Sequence, residues 1–123
     1  MKARILVVED NPLSLQLVRD LLEYHGHHID SATTTREASD RLQAATPDLV
    51  LLDIQIPGGG GETFLREIRG NAALSHLPVV AVTALAMDGD QERLLKAGFD
   101  GYISKPIDTR TFGTIVESFM KGR

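Results

Sequence analysis

Continuous apolar runs occupy residues 5–8 (ILVV), 49–52 (LVLL) and 79–82 (VVAV). Each is unbroken rather than alternating, the pattern of a strand covered on both faces. Tyr102 with Ile103, and the segment His28–Ala32, read as two weaker strands. Between the runs, apolar positions recur at helical spacing. Leu15, Val18 and Leu22, with Leu17 and Leu21 beside them, make one stripe; Phe112, Ile115, Val116 and Phe119 make another at i, i+3, i+4, i+7.

Boundary signals agree with this reading. Asn11 before Pro12 predicts an N-cap and a first helical position. Thr34 with Glu37, and Asp88 with Gln91, have capping-box spacing. Gly26 and Gly98 fit positions just past helix ends, and Asp108 is expected to cap the last helix. Strand then helix, repeated five times, predicts an α/β fold with a parallel sheet, right-handed crossovers and helices on both faces. No linker, repeat or low-complexity stretch interrupts it, so a single domain over 1–123 is expected.

Composition narrows the function. The chain has 123 residues, no cysteine, and 13 Lys+Arg against 17 Asp+Glu, a formal net charge of -4. Absent cysteine excludes disulfides and thiolate metal sites. Mild acidity argues against a nucleic-acid or anionic-membrane surface, since both need clustered cations. The apolar runs are far shorter than the ~20 residues that span a bilayer, and the N-terminal run has no signal-peptide character. A cytoplasmic protein is expected.

Parallel sheets bind ligands beyond the carboxyl ends of their strands. Here each of those ends is polar. The first strand runs into Glu9 and Asp10, the third into Asp53, the fourth into Thr83 and Ala84, and the fifth into Ser104, Lys105 and Pro106. Three carboxylates, a hydroxyl and an ammonium therefore converge if the sheet forms. Two carboxylates ~5 Å apart repel by about 3 kcal/mol at an effective dielectric of 20. One lysine cannot offset three acids. Oxygen-only ligands suit a hard cation, Mg2+ or Mn2+, whose open positions would face a phosphate. Lys105, the Thr83 hydroxyl and main-chain amides after Asp53 and Thr83 (Ala84 among them) would meet the phosphoryl oxygens. Asp53, at the end of an apolar central strand, is the best-held oxygen nucleophile, and its product would be an aspartyl phosphate.

VVEDN at 7–11, LLDIQIP at 51–57, VVAVTALA at 79–86 and YISKPI at 102–107 resemble the receiver domain of two-component response regulators. The likeness covers essentially the whole chain. It is greatest to single-domain regulators of the DivK type and extends to receivers within hybrid histidine kinases. It implies a flavodoxin-like (βα)5 fold with strand order 2-1-3-4-5. It also implies Asp53 as phosphoacceptor, and Mg2+ on Asp10, Asp53 and the Gln55 carbonyl, with Glu9 acting directly or through water. Lys105 would pair with the phosphoryl group. Thr83 would swing toward it, and the Tyr102 rotamer would follow. The Lys105–Pro106 bond would be cis. The phosphodonor would be a sensor histidine kinase or a histidine phosphotransfer protein. The output would be a protein target on the face of the fourth helix, fifth strand and fifth helix. Gln55 and Leu85 resemble positions that tune phosphoryl lifetime. The chain departs from the family at 58–61, where four glycines follow Pro57.

Other readings fit the residues less well. An aspartate-nucleophile phosphatase needs a second acid two residues after the nucleophile, where Gln55 stands. A nucleotide-binding flavodoxin-like protein is disfavoured by Glu9 and Asp10, which repel phosphate. A phosphorylation-independent scaffold leaves the acidic set without purpose. The four glycines lack the Lys-Ser/Thr of a P-loop and read as a flexible loop. His25, His27, His28 and His76 are expected to be exposed and to hold no metal. Leu85, Ala86 and Met87 are expected to pack against the fourth helix, with an apolar patch for a partner as the alternative.

Overall fold

The structure is a computed structural model that describes residues 2–54, 60–84 and 88–120. Its elements alternate along the chain: β1 (Arg4–Val8), α1 (Pro12–Tyr24), β2 (His28–Ala32), α2 (Thr35–Ala44), β3 (Leu49–Leu52), α3 (Gly61–Arg69), β4 (Val79–Thr83), α4 (Asp88–Ala97), β5 (Gly101–Ser104) and α5 (Phe112–Ser118). Every strand pair is parallel, and the order is β2-β1-β3-β4-β5. This is the flavodoxin-like (βα)5 arrangement that the alternation and the resemblance predict.

The continuous apolar runs are explained by two cores, one on each face of the sheet. Leu6, Val8, Val50, Leu52, Val79 and Ala81 face α2, α3 and α4, and pack with Phe64, Leu65, Ile68 and Leu94. Ile5, Val7, Leu49, Leu51, Val80 and Val82 point the other way, onto Val18 and Leu22 of α1 and Phe112 and Val116 of α5. Alternate residues of one strand thus serve opposite cores, so no position between the ends of β1, β3 and β4 is polar.

Local signals set the helix ends. Asn11 Oδ1 accepts from the Leu13 and Ser14 amides at 3.0 and 3.1 Å, with Pro12 at the first helical position. Thr34 Oγ1 accepts from the Glu37 amide at 3.1 Å. The Glu37 carboxylate reaches back to the Thr33 amide at 2.8 Å. Gly26 and Gly98 take positive φ just past α1 and α4. α4 starts at Asp88, but the expected Asp88–Gln91 box involves a side chain outside the described residues.

Two expectations are corrected. The cap of the last helix is displaced. α5 starts after Thr111, which makes no side-chain cap bond, and Asp108 caps the turn three residues earlier: its Oδ1 accepts from the Arg110 amide and its carbonyl from the Phe112 amide, both at 3.0 Å. The bond to the amide two residues on is an N-cap bond, set one turn before the helix proper. His27 is not exposed but buried. Its Nδ1 accepts from the Ala3 amide at 3.0 Å, and its Nε2 lies 2.8 Å from Glu117 Oε2 on α5. Pairing of Arg4 with His28 puts His27 beside Ala3, where both ring nitrogens find partners. His25 stacks on His27 at 6.4 Å between centroids, while His28 and His76 are exposed as expected.

β2 is an edge strand, and α2 covers part of its open side. Arg41 Nε donates to the Ser31 carbonyl at 3.3 Å, and Glu37 takes the Thr33 amide.

Candidate functional site

The strand ends deliver their polar residues to one place because the ladders continue one residue past the strands. The Glu9 amide donates to the Ala32 carbonyl at 2.9 Å, and the Asp53 amide to the Val8 carbonyl at 3.0 Å. Both carboxylates therefore leave backbone that is still held by the sheet. The Lys105 amide donates to the Thr83 carbonyl at 2.9 Å, which brings the β5 end alongside the β4 end. The Lys105–Pro106 peptide bond is cis.

Glu9, Asp53 and Thr83 are buried, while Asp10 is exposed at the rim. One carboxylate oxygen each from Glu9, Asp10 and Asp53 lies within 4.8 Å of the others. The Lys105 ammonium donates to Glu9 Oε1 at 2.6 Å and to Asp53 Oδ2 at 3.3 Å. Glu9 Oε2 also accepts from the Asn11 amide at 3.2 Å.

The electrostatics follow from this crowding. Burial pushes the Glu9 carboxyl above its ordinary range, and the neighbouring Asp53 carboxylate adds to the rise; the Lys105 ammonium and the Asn11 amide oppose it incompletely. Burial works against the charge on Lys105, but the Glu9 bond and the Asp53 charge outweigh it and raise its pKa. Three carboxylates against one ammonium leave excess negative charge in a part-buried pocket. An all-oxygen donor set of this kind suits a hard divalent cation.

Thr83 ends β4, and Ala84, just beyond it, is exposed. Tyr102 is half-buried on β5 and packs against the core on the α4 side. Gln55 and Leu85 lie outside the described residues, as do 56–59 and 86–87. The far side of the acceptor loop is anchored by glycine. The Gly61 amide donates to the Ile54 carbonyl at 3.1 Å, and a Cβ on Gly61 would stand 2.7 Å from Ile54 Cα. Gly60, at φ 83°, supplies the left-handed turn before α3.

Leu13, three residues on from Asp10 and in the first turn of α1, is 83% exposed. It lines up at i, i+4, i+8 with Leu17 and Leu21, on the outer flank of the Leu15–Val18–Leu22 stripe, where exposure rises from Leu17 at 38% to Leu13.

A doubly wound parallel sheet with this acidic cluster and lysine at its carboxyl edge defines the class. The chain belongs to the response regulator receiver domain family, whose profile matches residues 5–117. It is a receiver domain of the two-component type. Among curated relatives it is similar to the polar-differentiation response regulator DivK of Brucella ovis, at 39% identity over 120 residues and 98% of each chain. Among solved structures it is similar to the signal receiver domain of a histidine kinase from Syntrophus aciditrophicus. That match has 30% identity and a TM-score of 0.87, and it covers 98% of this chain and 91% of the other. It is also similar to the receiver domain of a sensor histidine kinase from Pseudomonas aeruginosa PAO1, with 28% identity, a TM-score of 0.87 and 98% of each chain covered. The Pseudomonas structure has a magnesium ion coordinated in its active-site cleft. Among the described residues, no helix is long and apolar enough to cross a membrane.

Proposed function

We propose that this chain is a switch that accepts a phosphoryl group on Asp53 from a phosphohistidine of a sensor kinase or phosphotransfer protein. The observation that supports it best is the bridging position of Lys105, 2.6 Å from Glu9 and 3.3 Å from Asp53. An ammonium there neutralises charge on a group transferring to Asp53.

In the transfer, an Asp53 carboxylate oxygen attacks phosphorus, the N–P bond of the phosphohistidine breaks, and the departing imidazole nitrogen keeps the electron pair. Glu9, Asp10 and Asp53 are suited to hold Mg2+ (Mn2+ would also fit), with the Gln55 carbonyl as a further ligand. Such an ion, when bound, offsets the carboxylate charges and those of the phosphoryl oxygens. The Thr83 hydroxyl and the Ala84 amide complete the phosphoryl contacts. Water attack on the acyl phosphate resets the site, and the chain's own residues assist both steps.

Thr83 moving toward the phosphoryl group frees space for Tyr102 to turn inward. The face of α4, β5 and α5 then changes its affinity for a protein target. The phosphodonor approaches over the rim of Asp10 and Leu13, where an exposed apolar side chain gives a partner helix something to cover. Residues 1–123 act as one such unit in the cytoplasm.

The test is labelling by acetyl phosphate or a cognate kinase in the presence of Mg2+. Asp53→Asn is expected to abolish acid-labile phosphate. Undiminished labelling of that variant would remove Asp53 from the role.

A further inference from the structure

Two arginines tie α4 to α3, and the two ties differ in kind. At the C-terminal end of α4, Arg69 of α3 donates to the Gly98 carbonyl through Nε at 3.2 Å and a terminal nitrogen at 2.9 Å. The same guanidinium reaches the Leu77 carbonyl at 2.6 Å and Asp100 Oδ2 at 2.9 Å. Asp100 in turn accepts from the Val79 amide at 2.7 Å. Leu94 and Phe99 are buried beside this end. Such a multidentate, part-buried arginine is a firm attachment.

At the middle of α4, the tie is a single ion pair between Arg93 of α4 and Glu62 in the first turn of α3. Their side chains are 47% and 35% exposed, and Arg93 also lies 3.5 Å from Asp90. Solvent makes this pair weak and readily broken. A helix held firmly at one end and loosely at its middle moves as a lever.

Both ends of the weak pair are close in chain to the acid pocket. Glu62 follows Gly61, whose amide is bonded to the Ile54 carbonyl next to Asp53. Arg93 sits on the helix that follows Thr83 and Ala84. The pair therefore spans the seam between the two segments that flank the acceptor. A group on Asp53 that draws Thr83 toward it pulls on the α4 side of that seam and leaves the α3 side anchored.

We propose that the Glu62–Arg93 pair is a latch holding the middle of α4 against α3 in the resting state, with the Arg69–Gly98 tie as the fixed end of the lever. The proposal deepens the phosphoacceptor reading above and rests on it. The latch favours the unphosphorylated form, so breaking it lowers the cost of activation.

The test compares wild type with Glu62→Gln, Arg93→Gln and the charge exchange Glu62→Arg/Arg93→Glu in the intact chain. Amide hydrogen exchange of α4 is followed without ligand, and the midpoint of a beryllium fluoride titration is followed with saturating Mg2+. Each single variant is expected to exchange about 1.5- to 5-fold faster in the first two turns of α4, the span that exposed ion pairs supply. Exchange at residues 98–100 is expected to be unchanged. The beryllium fluoride midpoint is expected to fall by a similar factor, and the charge exchange to move both readouts back toward wild type. Exchange rates in α4 equal to wild type would overturn the latch. Faster exchange with unmoved midpoints would overturn its link to the pocket. Failure of wild type itself to respond to beryllium fluoride would instead overturn the acceptor reading, while the exchange data still judged the latch.

Discussion

The Lys105 ammonium is held closer to Glu9, at 2.6 Å, than to the proposed acceptor Asp53, at 3.3 Å. In this structure it is thus a counter-ion for the acid pair, and foremost for Glu9. Lys105→Ala leaves two buried carboxylates without their cation. Without Mg2+ the variant is expected to lose about 1–3 kcal/mol of stability. Removing a competing positive charge should also tighten Mg2+ binding by roughly three- to ten-fold. Titration calorimetry and urea midpoints with and without Mg2+ check both, and weaker Mg2+ binding in the variant would contradict the electrostatic account.

The raised Glu9 pKa sets the direction of a pH effect. Its folded value lies above its ordinary 4.5, so between the two the folded protein holds a proton that the unfolded chain has released. Stability without metal should therefore decline as pH rises through that window. Lys105 acts at the alkaline end: its contribution is fully present below 10.5 and is lost as pH rises through its higher folded value. Mg2+ held as proposed, beside an ionised Glu9, should lose affinity as pH is lowered into the Glu9 window. Unfolding midpoints in EDTA and in Mg2+ from pH 4.5 upward should slope oppositely; parallel slopes would refute the assignment.

Gly61 faces Ile54 so closely that a methyl group would meet Ile54 Cα at 2.7 Å, whereas a Cβ on Gly60 meets nothing within 4 Å. Gly61→Ala should cost about 1–3 kcal/mol through forced backbone movement. Gly60→Ala should cost about 1 kcal/mol, from its positive φ alone. Denaturant midpoints of the two variants test the ranking.

Leu13, 83% exposed, contributes little to folding. Leu13→Ala should stay within about 0.5 kcal/mol of wild type. It should slow phosphotransfer from a kinase several-fold and leave acetyl phosphate labelling unchanged. Equal slowing with both donors would place Leu13 in the chemistry rather than in docking.

His27 joins three segments: the Ala3 amide, its own turn before β2, and Glu117 of α5. Burial tends to raise the Glu117 carboxyl, but the His27 bond and the His25 charge beside it prevail and hold it below the usual range. His27→Ala should cost about 2–4 kcal/mol by orphaning the Ala3 amide. It should also let Glu117 titrate closer to its ordinary value. Urea unfolding and carboxyl NMR titration measure the two effects.

The fold was legible because every interior strand is apolar on both faces and ends abruptly in acid or hydroxyl, while the edge strand β5 runs into lysine. Parallel topology then brings Glu9, Asp10, Asp53, Thr83 and Lys105 to one edge without any knowledge of the loops. Other features depended on tertiary partners that no local pattern shows. His27 reads as one of three surface histidines until Glu117, ninety residues away, is placed beside it. Asp108 has a capping residue's identity, but the turn it caps at the Arg110 amide precedes α5 itself. Arg69 looks like one more helix-terminal cation, and only the packing of Gly98 and Leu77 against it shows a clasp. Leu13 continues the outer flank of the stripe through Leu17 and Leu21, so its exposure shows only once α1 is placed on the sheet.

The cover that Arg41 and Glu37 lay over the outer side of β2 has a consequence for how this protein meets others. An extended segment from another molecule finds the Ser31 acceptor and the Thr33 donor already taken, so lengthening of the sheet by recruitment is discouraged there. Along this edge, contact with other molecules is thereby left to side chains of α2 rather than to strand addition.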